Sequence, residues 1–260
     1  MEPQLNTFEI DLDRFSTIML STLGKEHLQD RVDTKFALHQ SSLRLVLRHL
    51  ENTHTVLSVD GICKQQYKNL YFDDDRLSFY LHHHDKKGNR CKVRLREYGN
   101  SNTVVFEVKQ KINKNRTMKQ RIAHSALIET LSAEAQNLVQ QFAPVEAGSL
   151  RPTLWCHFNR ITLLSPNQEE RMTIDYNIQV GNTKHTKIYD GLALIEVKHA
   201  SHKPSSFDVI AKQSKIRKMS LSKYVMGIAH LNPEVKQNNF RLKLLAIDKI
   251  MNNNGAQYGI

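Results

Sequence analysis

The chain has 260 residues, and its 37 lysines and arginines outnumber its 26 aspartates and glutamates, which gives a formal net charge of +11 at pH 7. A chain of this length can bury a substantial core in one large β-domain or in two small ones. The positive balance favours a polyanionic partner, namely nucleic acid, an anionic membrane surface or phosphates, although many basic proteins have no such partner. Cys63, Cys91 and Cys156 are widely spaced, so the sequence indicates neither a disulfide framework nor a zinc site.

The sequence shows no pattern of a targeting or membrane segment. Residues 1–6 lack a basic region followed by an apolar run, which argues against a signal peptide. No stretch approaches the roughly 18 apolar residues that span a bilayer. The expected compartment is therefore the reducing cytoplasm.

The N-terminal third is predicted to combine helices and strands. Apolar residues near helical spacing over residues 8–29 predict an amphipathic helix, and Ser41 and Ser42 can cap a second one. The second helix has one apolar stripe, formed by Leu43, Val46, Leu47 and Leu50. Alternating patterns predict strands over residues 31–36, 54–59, 67–73 and 79–81.

Three consecutive histidines, His82–His84, follow the last of these predicted strands. Adjacent side chains on a strand point to opposite faces, so three imidazoles in a row cannot converge on one metal ion. We therefore interpret them as hydrogen-bonded or exposed histidines at a strand end.

A β-hairpin with one strongly basic face is predicted over residues 90–111. Lys92, Arg94 and Arg96 alternate with apolar residues, and turn-forming residues occupy 99–102. After the turn, the polar face continues with Glu107, Lys109 and Lys111. Like charges on neighbouring positions of a sheet repel, so an anion is expected on this face.

The C-terminal half is predicted to return to strands and then to end in helices. A helix is expected from about Ser125 to Phe142, followed by a connector that is not a domain boundary. Strands with an apolar and a charged face are expected at residues 156–162, 171–175 and 194–198. Ser205 and Asp208 match a capping box, and further helices are expected from residue 221 and over residues 240–251, before a frayed tail.

Five predicted strands share one design, an apolar face and a face of mixed cations and carboxylates. Such strands can form an open sheet with a solvated face, covered on the other side by the helices. They can also close into a barrel whose charged faces line the lumen, which removes the sheet edges and strengthens each charge inside. The pattern alone leaves both arrangements open.

The charged motifs, taken together, resemble the VTC domain, the catalytic part of vacuolar transporter chaperone polyphosphate polymerases, within the triphosphate tunnel metalloenzymes. The resemblance extends over about residues 8–228. Its motifs are Arg31-x-Asp33-x-Lys35, Leu70–Asp73, Arg90-x-Lys92-x-Arg94-x-Arg96-x-Tyr98, Glu107-x-Lys109-x-Lys111, Arg116 to Arg121, Arg160, Arg171-x-Thr173-x-Asp175, Glu196-x-Lys198 and Ser222-Lys223-Tyr224. It implies an α+β fold with an antiparallel β-barrel tunnel, helices packed outside and a helical C-terminus. A single catalytic domain is expected over residues 1–260, with its core at about 8–230.

The resemblance also implies which residues act on phosphate. The expected catalytic residues are Arg94, Arg96, Lys109, Arg160, Arg171 and Lys223. The expected substrate-binding residues are Lys35, Arg31, Lys92, Lys111, Arg116, Lys119, Arg121, Lys198 and Ser222. The metal, Mn²⁺ or Mg²⁺, is expected on Glu196 by the resemblance. Strand alternation, and not the resemblance, makes Glu107 a candidate second ligand.

This set agrees with the chemistry of the residues themselves. The sequence contains no P-loop, so side-chain cations must hold the phosphates, and the planar fork of arginine suits them. Phosphoryl transfer needs positioning, charge neutralisation and a divalent metal more than covalent help. Ser222 and Lys223 stand at a predicted helix start, where the helix adds its own positive end.

The first motif separates two activities of such tunnels. Hydrolytic relatives begin with Glu-x-Glu-x-Lys, whereas here Arg31 takes the place of the first carboxylate. The site should therefore hold less metal and more phosphate, which favours a polymerase that transfers phosphate from ATP to polyphosphate. A triphosphatase and a non-catalytic binder of polyphosphate or RNA are the alternatives, although no RNA-binding motif is present and no nucleic acid is expected. A membrane-protein partner for export, which would hold the protein at a membrane periphery, is left open.

Overall fold

The computed structural model describes most of the chain. The described residues are 8–23, 31–112, 116–200 and 204–252. The strands are β1 (Thr17–Met19), β2 (Arg31–His39), β3 (Thr55–Ser58), β4 (Gln65–Asp73), β5 (Arg90–Tyr98), β6 (Thr103–Ile112), β7 (Arg116–His124), β8 (Arg151–Leu164), β9 (Glu170–Gly181), β10 (Thr186–Tyr189) and β11 (Leu192–Ala200). The α-helices are α1 (Leu43–Leu50), α2 (Ser78–His84), α3 (Ala133–Phe142), α4 (Ser206–Gln213), α5 (Lys223–Leu231) and α6 (Arg241–Asn252).

Eight long antiparallel strands form the body of the structure, in the order β2-β11-β9-β8-β4-β5-β6-β7. β1, β3 and β10 extend this sheet at its margins. The sheet is strongly curled, since Lys35 on β2 lies close enough to Lys92 on β5 for its positive charge, after burial, to lower the pKa of Lys92, although four strands lie between β2 and β5 in the sheet order. The predicted antiparallel tunnel is confirmed. Between the described strands, however, β2 and β7 do not pair, so hydrogen bonds do not close the barrel there.

Two apolar clusters cover the outside of the curled sheet. α1 and α4 pack on the outer face of β2, β8, β9 and β11 around Phe36, Leu47 and Phe207. The predicted stripe of α1 is confirmed, since Leu43, Val46, Leu47 and Leu50 are all buried. α3 packs on the outer face of β5 and β6, around Phe106 and Val139.

Helix α5 differs, because it packs against the inner side of the sheet. Its buried residues, including Val225 and Ile228, contact the inward residues Leu154 and Val180 of β8 and β9. Gly227 allows this contact, since a Cβ at that position would come within 2.7 Å of the Leu154 side chain. The expectation that the helices all lie outside is therefore wrong for α5, which fills part of the lumen with apolar side chains.

Buried polar groups fix the helices that surround this filled part of the lumen. The Asp73 carboxylate at the end of β4 accepts hydrogen bonds from the backbone N–H groups of Phe79 and Tyr80 and from the Tyr224 hydroxyl. One buried carboxylate thus joins β4, α2 and α5.

The capping box predicted for α4 is confirmed, because Ser205 and Asp208 exchange hydrogen bonds.

Several predicted elements were wrong. Residues 8–23 contain a short strand and a 3₁₀ turn instead of a helix, because Phe15 and Ile10 are buried without a helical stripe around them. Residues 79–81 belong to α2, whose start Asp73 caps, so His82–His84 form the last turn of a helix and do not lie at a strand end. Helix α3 begins at Ala133, eight residues later than predicted, where Ser132 caps it. The predicted frayed tail and residues 24–29 lie outside the described part of the chain.

Candidate active site

Strand register brings the predicted charged positions together on the inner side of the sheet, which we call the tunnel face. Along one line of the register, Lys35, Glu196 and Thr173 lie opposite one another on β2, β11 and β9. Along another line, Arg94 lies opposite Glu107, which lies opposite Arg121. The period-2 pattern therefore aligns charged side chains across neighbouring strands on both sides of β4.

Glu107 is the centre of the first ionic cluster on this face. It is 1% exposed, and its two oxygens accept from Arg94 Nε at 2.6 Å, Arg121 Nε at 2.6 Å and Lys119 Nζ at 2.6 Å. Burial acts to raise the pKa of Glu107, but the positive charges of Arg94, Arg96 and Lys119 outweigh it and hold the pKa below its usual value. This carboxylate is thus ionised and anchors three of the predicted phosphate-binding cations.

Asp175 is the centre of the second ionic cluster. Arg160 binds it in bidentate fashion, with Nε and Nη2 donating at 2.6 and 2.8 Å, and Lys223 donates to the same carboxylate. Against the effect of burial, these two cations lower the pKa of Asp175 to about 2. Lys223 is the first residue of α5, so the pair fixes the inner helix to β9 at the border between the apolar and the charged parts of the lumen.

Glu196 has a more open position. Its side chain is 25% exposed and lies between Lys35 Nζ at 2.9 Å and Lys198 Nζ at 3.4 Å. Lys198 is also 3.6 Å from Asp33. Although burial acts in the other direction, Lys35 and Lys198 hold the pKa of Glu196 below the ordinary value. Glu196 is therefore a charged carboxylate that water and ligands can reach.

Arg96 differs from these cations in its partners. It is 7% exposed, and its Nε donates to Asn69 Oδ1 at 2.9 Å. No carboxylate of the described residues forms a salt bridge with it. Burial, together with the positive charges of Arg94 and Arg160, lowers the pKa of Arg96 to about 10. A buried guanidinium with neutral partners is a ready site for an anion.

The other predicted residues lie on or beside the same face. Lys92 and Lys109 are directly opposed on β5 and β6, and Lys111 continues that row opposite Arg90. Arg171 is partly buried and lies opposite Lys198 on β11. The Ser222 hydroxyl accepts from the Val225 N–H and so caps α5. The side chains of Arg31 and Arg116 are outside the described part of the structure.

The sequence pattern missed an aromatic and amide strip at the centre of the tunnel face. Tyr67, Asn69 and Tyr71 on β4 point inward, and Phe158 on β8 is directly opposite Tyr67. The pattern of charged strands does not single out β4, because its inward residues carry no charge. The available signal was the alternation itself, since Tyr67, Asn69 and Tyr71 share the spacing of the charged strands on either side.

The donor set fits a divalent metal at Glu196 better than at Glu107. Mg²⁺ binds through one or two carboxylates, substrate phosphates and water. Glu196 is partly exposed, whereas Glu107 is buried and already holds three cations. No cluster of three or more histidine, cysteine or acidic side chains suited to a metal occurs among the residues described. Substrate would therefore have to supply most of the ligands.

A curled antiparallel sheet with a cation-lined interior defines the class of triphosphate tunnel proteins. One solved structure of similar fold is a putative adenylate cyclase from Bacillus halodurans, with a TM-score of 0.52, 13% identity, 75% of this chain covered and 95% of that chain. Another is a putative adenylyl cyclase from Hippeastrum, described as having a dominant triphosphatase activity, with a TM-score of 0.48, 11% identity and coverage of 77% and 97%. At these identities the likeness concerns the fold.

The family is shown by the sequence. The VTC domain profile matches residues 30–232, and the chain belongs to the VTC domain family. No curated protein matches it. Triphosphate tunnel enzymes generally use divalent metal ions, and their substrates are nucleoside triphosphates or polyphosphates. In the described part of the chain, every helix is too short or too polar to cross a membrane.

Proposed function

We propose that the protein is a polyphosphate polymerase that transfers the γ-phosphoryl group of ATP to a growing polyphosphate chain, with Mn²⁺ or Mg²⁺ as cofactor. The observation that carries this proposal is the excess of cations over carboxylates on the tunnel face. The carboxylates there are Asp33, Glu107, Asp175 and Glu196. The cations are Lys35, Lys92, Arg94, Arg96, Lys109, Lys119, Arg121, Arg160, Arg171, Lys198 and Lys223. A polyanionic chain would balance this charge.

The residues divide into anchored and free cations, and each group has its own part in the reaction. Arg94 and Arg160 are held by buried carboxylates, which fixes the direction of their remaining N–H groups. Arg96 keeps its charge for the substrate, because its described neighbours do not neutralise it. On Lys92, burial and the neighbouring cations disfavour the charged form, and a bound phosphate would favour it again. Together they would align donor and acceptor phosphates and stabilise the charge that spreads over the transferring group.

The metal would act next to Glu196. When bound there, it would neutralise charge on the phosphates and polarise the bond to the leaving group. Lys35 and Lys198 would then lose their pairing with Glu196 and become available to phosphate oxygens. That residues 1–260 form one domain and that a membrane protein exports the product stay predictions.

Product analysis with ATP and Mn²⁺ tests the proposal. We expect ADP and long polyphosphate, with one ADP released for each phosphate added to the polymer. Orthophosphate without polymer would instead identify a triphosphatase, and tight polyanion binding without ATP turnover would identify a binding module. A matched control is Lys68→Ala, since Lys68 pairs with Glu97 on the outer face of β4 and lies away from the tunnel face.

A further inference from the structure

Tyr67 and Phe158 form an aromatic stack in the middle of the charged tunnel face. They lie directly opposite each other on β4 and β8. Their rings are almost parallel, with an interplanar angle of 3° and centroids 5.2 Å apart. An aromatic pair in this register contributes to sheet stability on its own, but its neighbours give it a second role.

Three cations of the candidate site lie against this stack. The guanidinium carbons of Arg96 and Arg160 are 4.9 and 5.0 Å from the centroid of Tyr67. The Nζ atom of Lys223 is 4.2 Å from the centroid of Phe158, and Arg160 is 5.3 Å from it. At such distances the negative face of an aromatic ring attracts a cation.

An aromatic ring orients a cation without neutralising it, and in this respect it differs from a carboxylate. Arg160 is also held by Asp175, but Arg96 has only Asn69 and the rings of Tyr67 and Tyr98 as partners within the described part of the chain. Asn69 accepts a hydrogen bond from Nε of Arg96 and from no other nitrogen of that guanidinium group. The plane of the guanidinium therefore depends on the rings.

We propose that Tyr67 is a positioning residue of the phosphate site, whose ring sets the orientation of the Arg96 guanidinium group so that its free N–H groups point at substrate phosphates. The inference rests on the proposed function, because it assigns phosphate as the ligand of these cations. Tyr67 itself need not touch the substrate. Its ring orients Arg96 without neutralising it, in a site that is mostly screened from water.

Binding of inorganic tripolyphosphate, measured by calorimetry without turnover, tests this role. We expect Tyr67→Leu to weaken binding about tenfold, which lies between the contributions of an exposed and of a fully desolvated cation–π contact. Tyr67→Phe keeps the ring and should bind as the unaltered protein does. Trp155→Leu is the matched control, since Trp155 packs against His157 on the opposite face of β8.

A double-mutant cycle separates positioning from packing. If Tyr67 acts through Arg96, the Tyr67→Leu effect on affinity should fall below about twofold in an Arg96→Met background. Equal loss in both backgrounds, or equal loss for Tyr67→Phe and Tyr67→Leu, would overturn the proposal. Polymer synthesis plays no part in this readout. A protein that binds tripolyphosphate but makes no polymer therefore contradicts the proposed function and leaves the role of Tyr67 testable.

Fluorinated analogues of phenylalanine at position 67 provide a second measurement that preserves the shape of the core. Added fluorine weakens the negative face of the ring while changing its volume little. Affinity for tripolyphosphate should fall stepwise with fluorination. Constant affinity across the series would show that the ring only fills space, and would overturn the proposal even if Tyr67→Leu does not fold.

Discussion

Lys92 and Lys109 lie directly opposite each other on β5 and β6, on the tunnel face. Burial and then the charges of Lys35, Lys109, Arg94 and Arg90 lower the pKa of Lys92 well below the usual lysine value. Opposed like charges on a sheet destabilise it. A fold that keeps such a pair must gain from the anion that the pair binds.

The first prediction is that Lys92→Met stabilises the free protein and weakens its ligand binding. Loss of one repelling charge should raise the stability by about 0.5–1 kcal/mol, or about 1–4 °C in Tm. The affinity for tripolyphosphate should fall at the same time. Lys68→Met, on the outer face, is the control, and it should neither raise Tm nor weaken tripolyphosphate binding. A lower Tm for Lys92→Met would show that packing of the lysine stem affects stability more than repulsion by its charge does.

The second prediction is that phosphate binding takes up protons. An anion beside Lys92 favours the charged form and raises its lowered pKa, so the bound protein holds more protons than the free one. Affinity for tripolyphosphate should therefore decrease as the pH rises towards the usual lysine pKa of about 10.4. Calorimetry in buffers of different ionisation enthalpy measures the uptake. An uptake that is unchanged in Lys92→Met would assign it to another group.

The sequence predicted the strands with mixed charge correctly because their alternation records both faces. It also predicted α4 and α5, since Ser205 and Ser222 stand where the caps are needed. It could not predict that α5 enters the lumen, because an apolar helix has the same pattern on either side of a sheet. The aromatic strip of β4 was missed for a similar reason: Tyr67 suggests core packing until Arg96 and Arg160 are placed against it.

The third prediction concerns the two arginines of β5. Arg94→Ala and Arg96→Ala should each lower the turnover of ATP at least a hundredfold, since positioned charge at a transferring phosphoryl group is often worth about 3–4 kcal/mol. Both variants should fold. Arg94 is one of three cations on Glu107, and removal of Arg96 leaves a neutral partner, Asn69. Circular dichroism and thermal unfolding check the fold, and a variant that unfolds would assign the arginine to structure.

The fourth prediction is that Glu107 stabilises the fold. Glu107→Gln leaves Arg94, Lys119 and Arg121 without their buried counter-charge, which should cost about 3–5 kcal/mol of unfolding free energy. Because the folded pKa of Glu107 is below its unfolded value, its contribution is present above about pH 4.3 and is lost as the pH falls below that. Denaturant titrations at neutral and acidic pH should therefore show a smaller difference between the variant and the unaltered protein at low pH. Glu97→Gln, on the outer face, is the control.

The last prediction places the metal. Glu196→Gln removes a partly exposed carboxylate of the tunnel face while Lys35 and Lys198 remain, so polyphosphate should still bind, and more tightly because a negative charge is lost. Polymer synthesis should cease. Titration with Mn²⁺ in the presence of a non-hydrolysable ATP analogue should show no metal bound, whereas Glu107→Gln should retain the metal in the fraction that folds. Full activity of Glu196→Gln, or loss of the metal from Glu107→Gln alone, would move the metal site to Glu107.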